Sequence, residues 1–511
     1  MALIEEIVPR LVTLKSVLAL PETQDDTEQM RGYCRIFVEA GEWYESLIVQ
    51  HVDTFLPLVE AIAECSAYED LDVVGITLNF WYKLARRVRN QREDPSVQPL
   101  AAVFSNLVEI IIRHLHYPDD SVVLVGQERD DFKGFRHQIG DTLKDCCAVL
   151  TATRCLRRSY DIIASSLAQA LATGGEPKWQ DIEAPLFSMR SMGAEVDPRD
   201  DEIMPEIMDI LPKLPPHPKI RYAAILVIGR YTNWIECHPE HIQFQLPYIT
   251  SGLEGSDYEV SAAAAQALKF LCKDCSHHLV PYLPQLHTFF QTVVTTLGSE
   301  DLLDITAAIA HIISVMPLEE AASALQLFCM PNIETLHAIT STPTEATKTD
   351  IRTACDALER LDMLLAVVGP FPSPGLPPSC QSTCAQIWPI FDAFIAKYGQ
   401  QRIVSEKVCI CIRRGLQFFG EAAFSIAPAV LERMALAFEL SAASSYLWIT
   451  AKLISSFARR KDPTFDAALK NVVERESAKI FDMLQRTAPA QLGDGTLRSP
   501  LSPARRLTLF V

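Results

Sequence analysis

Glycine is scarce in this sequence, at 20 residues in 511. No Asn-Gly or Asp-Gly pair sits between alternating apolar residues, and Asp494-Gly495 falls in a polar stretch. Hairpin-built sheets are therefore not expected. Basic charge is also short, with 46 Lys and Arg against 64 Asp and Glu and a net charge of −18. That balance argues against nucleic acid as a direct partner, because a phosphate backbone asks for a basic stripe. It favours encounter with basic proteins, although the same charge also serves solubility alone. Met1 leads straight into an amphipathic run carrying Glu5, Glu6, Arg10 and Lys15, so no secretory signal is read. No stretch approaches the roughly 18 uninterrupted apolar residues of a membrane helix. An intracellular, soluble protein is expected, with no membrane contact. Missing too are a Gly-rich phosphate loop and the HExxH and GxSxG patterns. The 12 His and many carboxylates do not gather at a turn. No catalytic residue, no cofactor and no enzymatic activity are expected.

What the sequence does hold is proline, 32 residues of it, and apolar residues at 49%. Proline fits a first helical turn and fits badly inside a sheet, so the balance suits long helices joined by Pro-marked turns. The 14 cysteines lie mostly within apolar helical runs, as reduced core thiols do. Cys272-Lys-Asp-Cys275, with His277 and His278 after it, resembles half a zinc site. No second Cys pair stands at a matching spacing and Cys272 sits on an apolar helix face, so no metal is expected.

One pattern recurs: a turn with Pro, Gly or Asp, then a helix rich in small and apolar residues. It appears at 217–231, 257–272, 300–315, 350–365, 402–420 and 441–457, with looser copies at 69–84 and 132–150. The later copies start about 40 to 50 residues apart, the period of HEAT-type helical hairpins. Between them runs a second helix type with an apolar stripe, often broken near its start by Pro, as at 241–253 and 278–294. A helix such as 261–272, dominated by alanine, buries little alone and needs neighbouring hairpins to share a core. The expected fold is all-α, a HEAT-repeat α-solenoid (a superhelix of antiparallel hairpins) over residues 1–485. The stretch 366–381, with PFPSPGLPPSC, reads as a Pro-rich loop between hairpins rather than a domain boundary. Residues 486–511 lose the helical stripe and read as a disordered tail.

The segment 402–419, RIVSEKVCICIRRGLQFF, carries the candidate binding residues. At about 100° per residue, Val404, Val408, Cys411, Ile412, Leu416 and Phe419 form one arc. Lys407, Arg413 and Arg414 fall opposite, with Ile410 and Gln417 between them and Arg402 at the margin. Such a face suits acidic or phosphorylated side chains through forked Arg contacts, and it equally suits an ordinary solvated surface. On either reading, reversing Lys407, Arg413 and Arg414 together is expected to leave melting nearly unchanged.

Four segments resemble the transportin-SR branch of the importin-β karyopherins, a group that includes the fungal mRNA-transport regulators. They are VVGITLNFWYKL (73–84), FRHQIGDTLKDCCAVL (135–150), WQDIEAPLFSMRSMG (179–193) and IWPIFDAFIAKYG (387–399), in family order. The resemblance covers residues 1–457 and weakens afterwards. It implies a nuclear import receptor, shuttling between cytoplasm and nucleus, for Arg/Ser-rich or similar basic mRNA-binding and splicing proteins. Passage on Phe-Gly nucleoporins and cargo release by Ran–GTP are implied with it. The segment 402–419 resembles the family's Arg-rich cargo helix, making Arg402, Lys407, Arg413 and Arg414 the implied cargo-binding residues. Ile410 and Gln417 stand where the family commonly has further arginines, and Arg414 where it is usually apolar. The thinner face makes contact with an unphosphorylated basic segment, through acidic surface, an open alternative. The chain is expected to begin inside the family's solenoid, so that the hairpins of the main Ran contact lie outside it and Ran–GTP binds weakly. A generic HEAT scaffold in a static assembly is the other function considered.

Overall fold

The computed structural model describes residues 2–371 and 375–491, with side chains between 6 and 486. The chain is 83% helical, with no strand among the described residues. It divides into two compact units, residues 1–278 and residues 279 onward.

Setting aside α-helices of six residues or fewer and 3-10 turns, the first unit runs through α1 (Ala2–Thr13), α2 (Thr27–Trp43), α3 (Val52–Ser66), α4 (Leu71–Val88), α5 (Gln98–His114) and α6 (Gly126–Leu150). It continues with α7 (Ala152–Thr173), α8 (Trp179–Met192), α9 (Met204–Ile210), α10 (Pro218–Arg230), α11 (Ile242–Leu253) and α12 (Tyr258–Asp274). Odd and even helices form two layers. Each even helix packs on the next even one, from α2 to α12, and the first odd helices do the same from α1 through α7. The second unit repeats the scheme. Its helices are α13 (Leu283–Val293), α14 (Ser299–Ile313), α15 (Leu318–Ser341), α16 (Lys348–Val368), α17 (Thr383–Tyr398), α18 (Arg402–Phe419), α19 (Ala427–Ser441), α20 (Ser444–Phe457) and α21 (Pro463–Gln491).

The two helix types visible in the sequence are these two layers. Every small-residue copy falls on an even helix, and the Pro-interrupted type supplies α3, α11, α15 and α17 of the odd layer, with Pro57, Pro247, Pro331 and Pro389 inside. The even layer needs small residues because its helices approach closely. A Cβ placed on Gly229 of α10 would stand 3.0 Å from the Ala267 backbone of α12. Asp257 starts α12 by accepting from the Val260 amide at 3.1 Å, and a Thr347–Asp350 capping box starts α16.

Successive helices of a layer are also tied by charge. Lys83 reaches Glu42 at 2.5 Å and Arg87 reaches Glu45 at 2.7 Å, both from α4 back one repeat. In the odd layer Arg157 reaches Glu206 at 2.7 Å, Arg433 reaches Asp392 at 2.6 Å, and Arg475 reaches Glu432 and Glu439 at 2.6 Å. The ladder exploits the fixed repeat length, which sets a cation opposite an acid one hairpin away.

One pair is fully enclosed. Arg136 of α6 donates to Glu183 of α8 at 2.6 Å, and both side chains are at most 5% exposed. The Arg136 guanidinium lies 4.4 Å from the Tyr117 ring and 4.1 Å from Phe187. Trp179 covers the site, stacked on His217 at 5.3 Å and donating from its indole to Asp120 at 2.9 Å. This cage fixes the α5–α6 connection against α8.

Helix α5 belongs to the one candidate span among the described residues, Pro95–His114, that is long and apolar enough to cross a membrane. In the fold its Leu100, Phe104, Leu107 and Ile111 are buried, and it packs between α3 and α6. Cys272 and Cys275 are buried thiols, Cys275 donating to the Thr232 carbonyl, while His277 and His278 are exposed. The Pro-rich loop opens at Gly369, which takes φ +68° after α16 runs on to Val368. Residues 372–374 of that loop lie outside the described residues. Helix α21 extends to Gln491, past the expected start of the tail at 486; residues 492–511 lie outside the described residues.

Candidate functional site

Helix α18 buries Val404, Ser405, Val408, Cys409, Cys411, Ile412, Leu416 and Phe418. The buried arc contains the one the periodicity gives and is widened by Ser405 and Cys409, with Phe418 covered and Phe419 only partly. Neighbours on both sides belong to the same layer, α16 before it and α20 after it. The basic residues are distributed between those neighbours.

Lys407 pairs with Glu359 of α16. Arg414 donates to Asp362 of the same helix at 2.9 Å. All four side chains are about one-third exposed or less, at 34% and 28% for the first pair and 30% and 25% for the second. These pairs are further rungs of the inter-repeat ladder. Arg413 lies on the other flank, its guanidinium 4.4 Å above the Trp448 ring of α20. It has no acidic partner among the described residues. Arg402, 88% exposed, is held one turn on by Glu406 at 2.9 Å.

The four residues therefore do not converge. Lys407 and Arg414 close one seam, Arg413 leans across the other, and Arg402 stands at the amino end. Between the flanks Ile403, Glu406, Ile410 and Gln417 are exposed. An anion arriving on this strip meets Arg413 and Arg402 first. It would have to displace Asp362 or Glu359 to engage the other two. With Lys407 and Arg414 paired to α16, reversing the three charges together is expected to lower melting rather than leave it unchanged.

Three consecutive domain models of one family match the chain in order. The transportin-3/importin-13 second TPR domain matches residues 25–114, the third 201–289 and the fourth 378–484. The chain belongs to the transportin-3/importin-13 family. Helix α18 lies inside the fourth-domain match, and that match carries the resemblance beyond residue 457 into α21. The chain is 32% identical over 508 residues to an uncharacterized protein of Schizosaccharomyces pombe, C11G11.07, covering 95% of this chain and 52% of that one. It is 31% identical over 487 residues to the mRNA transport regulator MTR10 of Saccharomyces cerevisiae, covering 93% and 49%. Importin-13 of Mus musculus matches at 24% over 482 residues, 89% of this chain and 49% of that protein. The chain spans about half the length of the curated relatives it matches. A solved importin-13 structure in its cytosolic state superposes with TM-score 0.79 at 19% identity, covering 96% of this chain and 57% of that one. That likeness supports the HEAT-repeat solenoid fold.

Proposed function

We propose that this chain acts as the cargo-holding part of a nuclear import receptor for basic or Arg/Ser-rich mRNA-binding and splicing proteins. The observation that carries the reading is the ordered match of three transportin-3/importin-13 domain models along a stack of helical hairpins. On this reading the protein shuttles between cytoplasm and nucleus, engages Phe-Gly nucleoporins, answers to Ran–GTP and performs no catalysis. The relative's printed name, mRNA transport regulator, supports the cargo class.

Arg402 and Arg413 are the cargo contacts this geometry favours, because Arg413 lacks an acidic partner and Arg402 is almost fully exposed. Lys407 and Arg414 act behind them, holding the helix in place. The net charge of −18 serves the Arg residues of the same cargo. The test is anisotropy of a labelled, phosphorylated Arg/Ser peptide with wild type and with Arg402→Glu/Arg413→Glu. Melting should fall only slightly, since Arg402 is exposed and Arg413 gives up one half-exposed contact with Trp448, about 0.5–1 kcal/mol at such sites. Binding should weaken at least about tenfold, because each charge-assisted contact contributes roughly 1.5–3 kcal/mol. Adding cations with Ile410→Arg/Gln417→Arg should tighten it. Equal binding by wild type and both variants would remove α18 from the cargo site.

A further inference from the structure

The first unit carries uncompensated positive charge of its own on its even layer. A groove of about 580 Å³ runs over α6, α8, α10 and α12. Its lining includes Arg190, Arg230 and Lys273, with the rings of Phe187 and Phe270 among them. Lys144 also lines it, so four Lys or Arg face two acids, Asp141 and Asp274. Both acids are engaged: Asp141 holds Lys144 at 2.6 Å, and Asp274 accepts from the Thr232 hydroxyl. Arg190, Arg230 and Lys273 have no acidic partner among the described residues. The neighbouring imidazole of His137 is held below its ordinary value by burial first, then by the Arg190 and Arg136 guanidiniums. Positive potential in the groove is thus left open.

The layer's construction sets the spacing of these cations. Arg190, Arg230 and Lys273 occupy the last turns of three successive even helices. Close approach between those helices is secured by Gly193, where a Cβ would strike the Arg230 stem, and by Gly229 against Ala267. Packed helices stand roughly 8–10 Å apart, and an extended chain covers about that distance in three residues. A cation at the end of a helix also offsets its dipole. The dipole accounts for each position singly. It gives no reason for three unpaired cations to share a groove with two half-open or exposed aromatic rings.

We propose that this groove docks an extended acidic protein segment bearing a carboxylate at about every third residue, with apolar side chains between them against Phe187 and Phe270. The site is independent of the cargo reading for α18 and calls for a partner of opposite charge. The test is anisotropy with the full chain and three fluorescein-labelled peptides: one with Glu at every third position, one with the same Glu residues contiguous, and one with phosphoserine replacing the spaced Glu.

The spaced Glu peptide should bind, at least about tenfold tighter than the contiguous one, and weaken steeply with salt as screening shortens the reach of the cations. Arg190→Gln/Arg230→Gln/Lys273→Gln should weaken it about a hundredfold or more, because each substitution removes a charge-assisted hydrogen bond to a carboxylate. Gln266→Glu puts a negative charge on an exposed lining residue without touching a helix end, and should weaken it severalfold with melting unchanged. Equal binding by wild type and both variants would overturn the proposal. So would indifference to Glu spacing, or binding of the phosphoserine peptide alone.

Discussion

Breaking the buried Arg136–Glu183 pair from one side should cost about 3–5 kcal/mol, the usual consequence of stranding a charge in the interior. The effect should not be symmetric in pH. Burial pushes the Glu183 carboxyl above its ordinary value, and Arg136 is the largest influence pulling it back. Arg136→Leu removes that pull, so the folded state retains a proton that the unfolded chain gives up near pH 4.3. The unfolded chain then binds fewer protons, and stability falls as pH rises through the window between those two values. The Arg136→Leu deficit should therefore be smaller at pH 5 than at pH 8. Glu183→Leu leaves a guanidinium that cannot neutralise itself and removes the titrating carboxyl, so its own stability should lack the Glu183-linked fall between pH 5 and pH 8. Arg136→Met/Glu183→Leu removes both charges, retains much of the packing in the Tyr117–Phe187 cage, and should recover most of the loss. Urea midpoints of the three variants at both pH values check this. A double variant as unstable as the worse single one would show that the cage, not charge pairing, holds α6 to α8.

The second large effect is expected at the seam between α16 and α18. Lys407→Glu/Arg414→Glu places like charges against Glu359 and Asp362, turning two attractive contacts into two repulsive ones. Partly exposed pairs contribute about 0.2–1 kcal/mol each, so loss and reversal together should cost roughly 1–3 kcal/mol. Adding Glu359→Lys/Asp362→Lys rebuilds both pairs with opposite polarity and should restore the melting temperature. Arg402→Glu/Arg413→Glu should lower it less, since of the contacts between helices only that of Arg413 with Trp448 is lost. If Lys407→Glu/Arg414→Glu melts like wild type, these cations are free surface and return to the set of cargo contacts.

Periodicity made much of this protein legible. The recurrence of small-residue helices identified every even helix of the second unit and four of the first. Periodicity gives the face of a helix but not what stands beyond it. Lys407 and Arg414 therefore looked free, because Glu359 and Asp362 lie one repeat earlier and come opposite only when the hairpins stack. Arg136 sits in a strongly charged helix, yet it precedes Ile139, Gly140 and Leu143 at helical spacing, all of them buried. That stripe was the available signal. The groove cations could likewise have been found by aligning repeats, since Arg190, Arg230 and Lys273 each close an even helix. The division between the two units, after residue 278, has no composition break to mark it. The break the sequence does show, at 366–381, connects two helices of the same unit.

The central claim is that this chain holds basic cargo as an import receptor does, releasably. It is tested most directly by titrating the chain with an Arg/Ser-rich protein and following the complex by anisotropy as salt is raised. The account predicts a complex that weakens steeply with salt and is loosened by Arg402→Glu/Arg413→Glu. A complex indifferent to salt and to those substitutions would contradict it and leave a static helical scaffold.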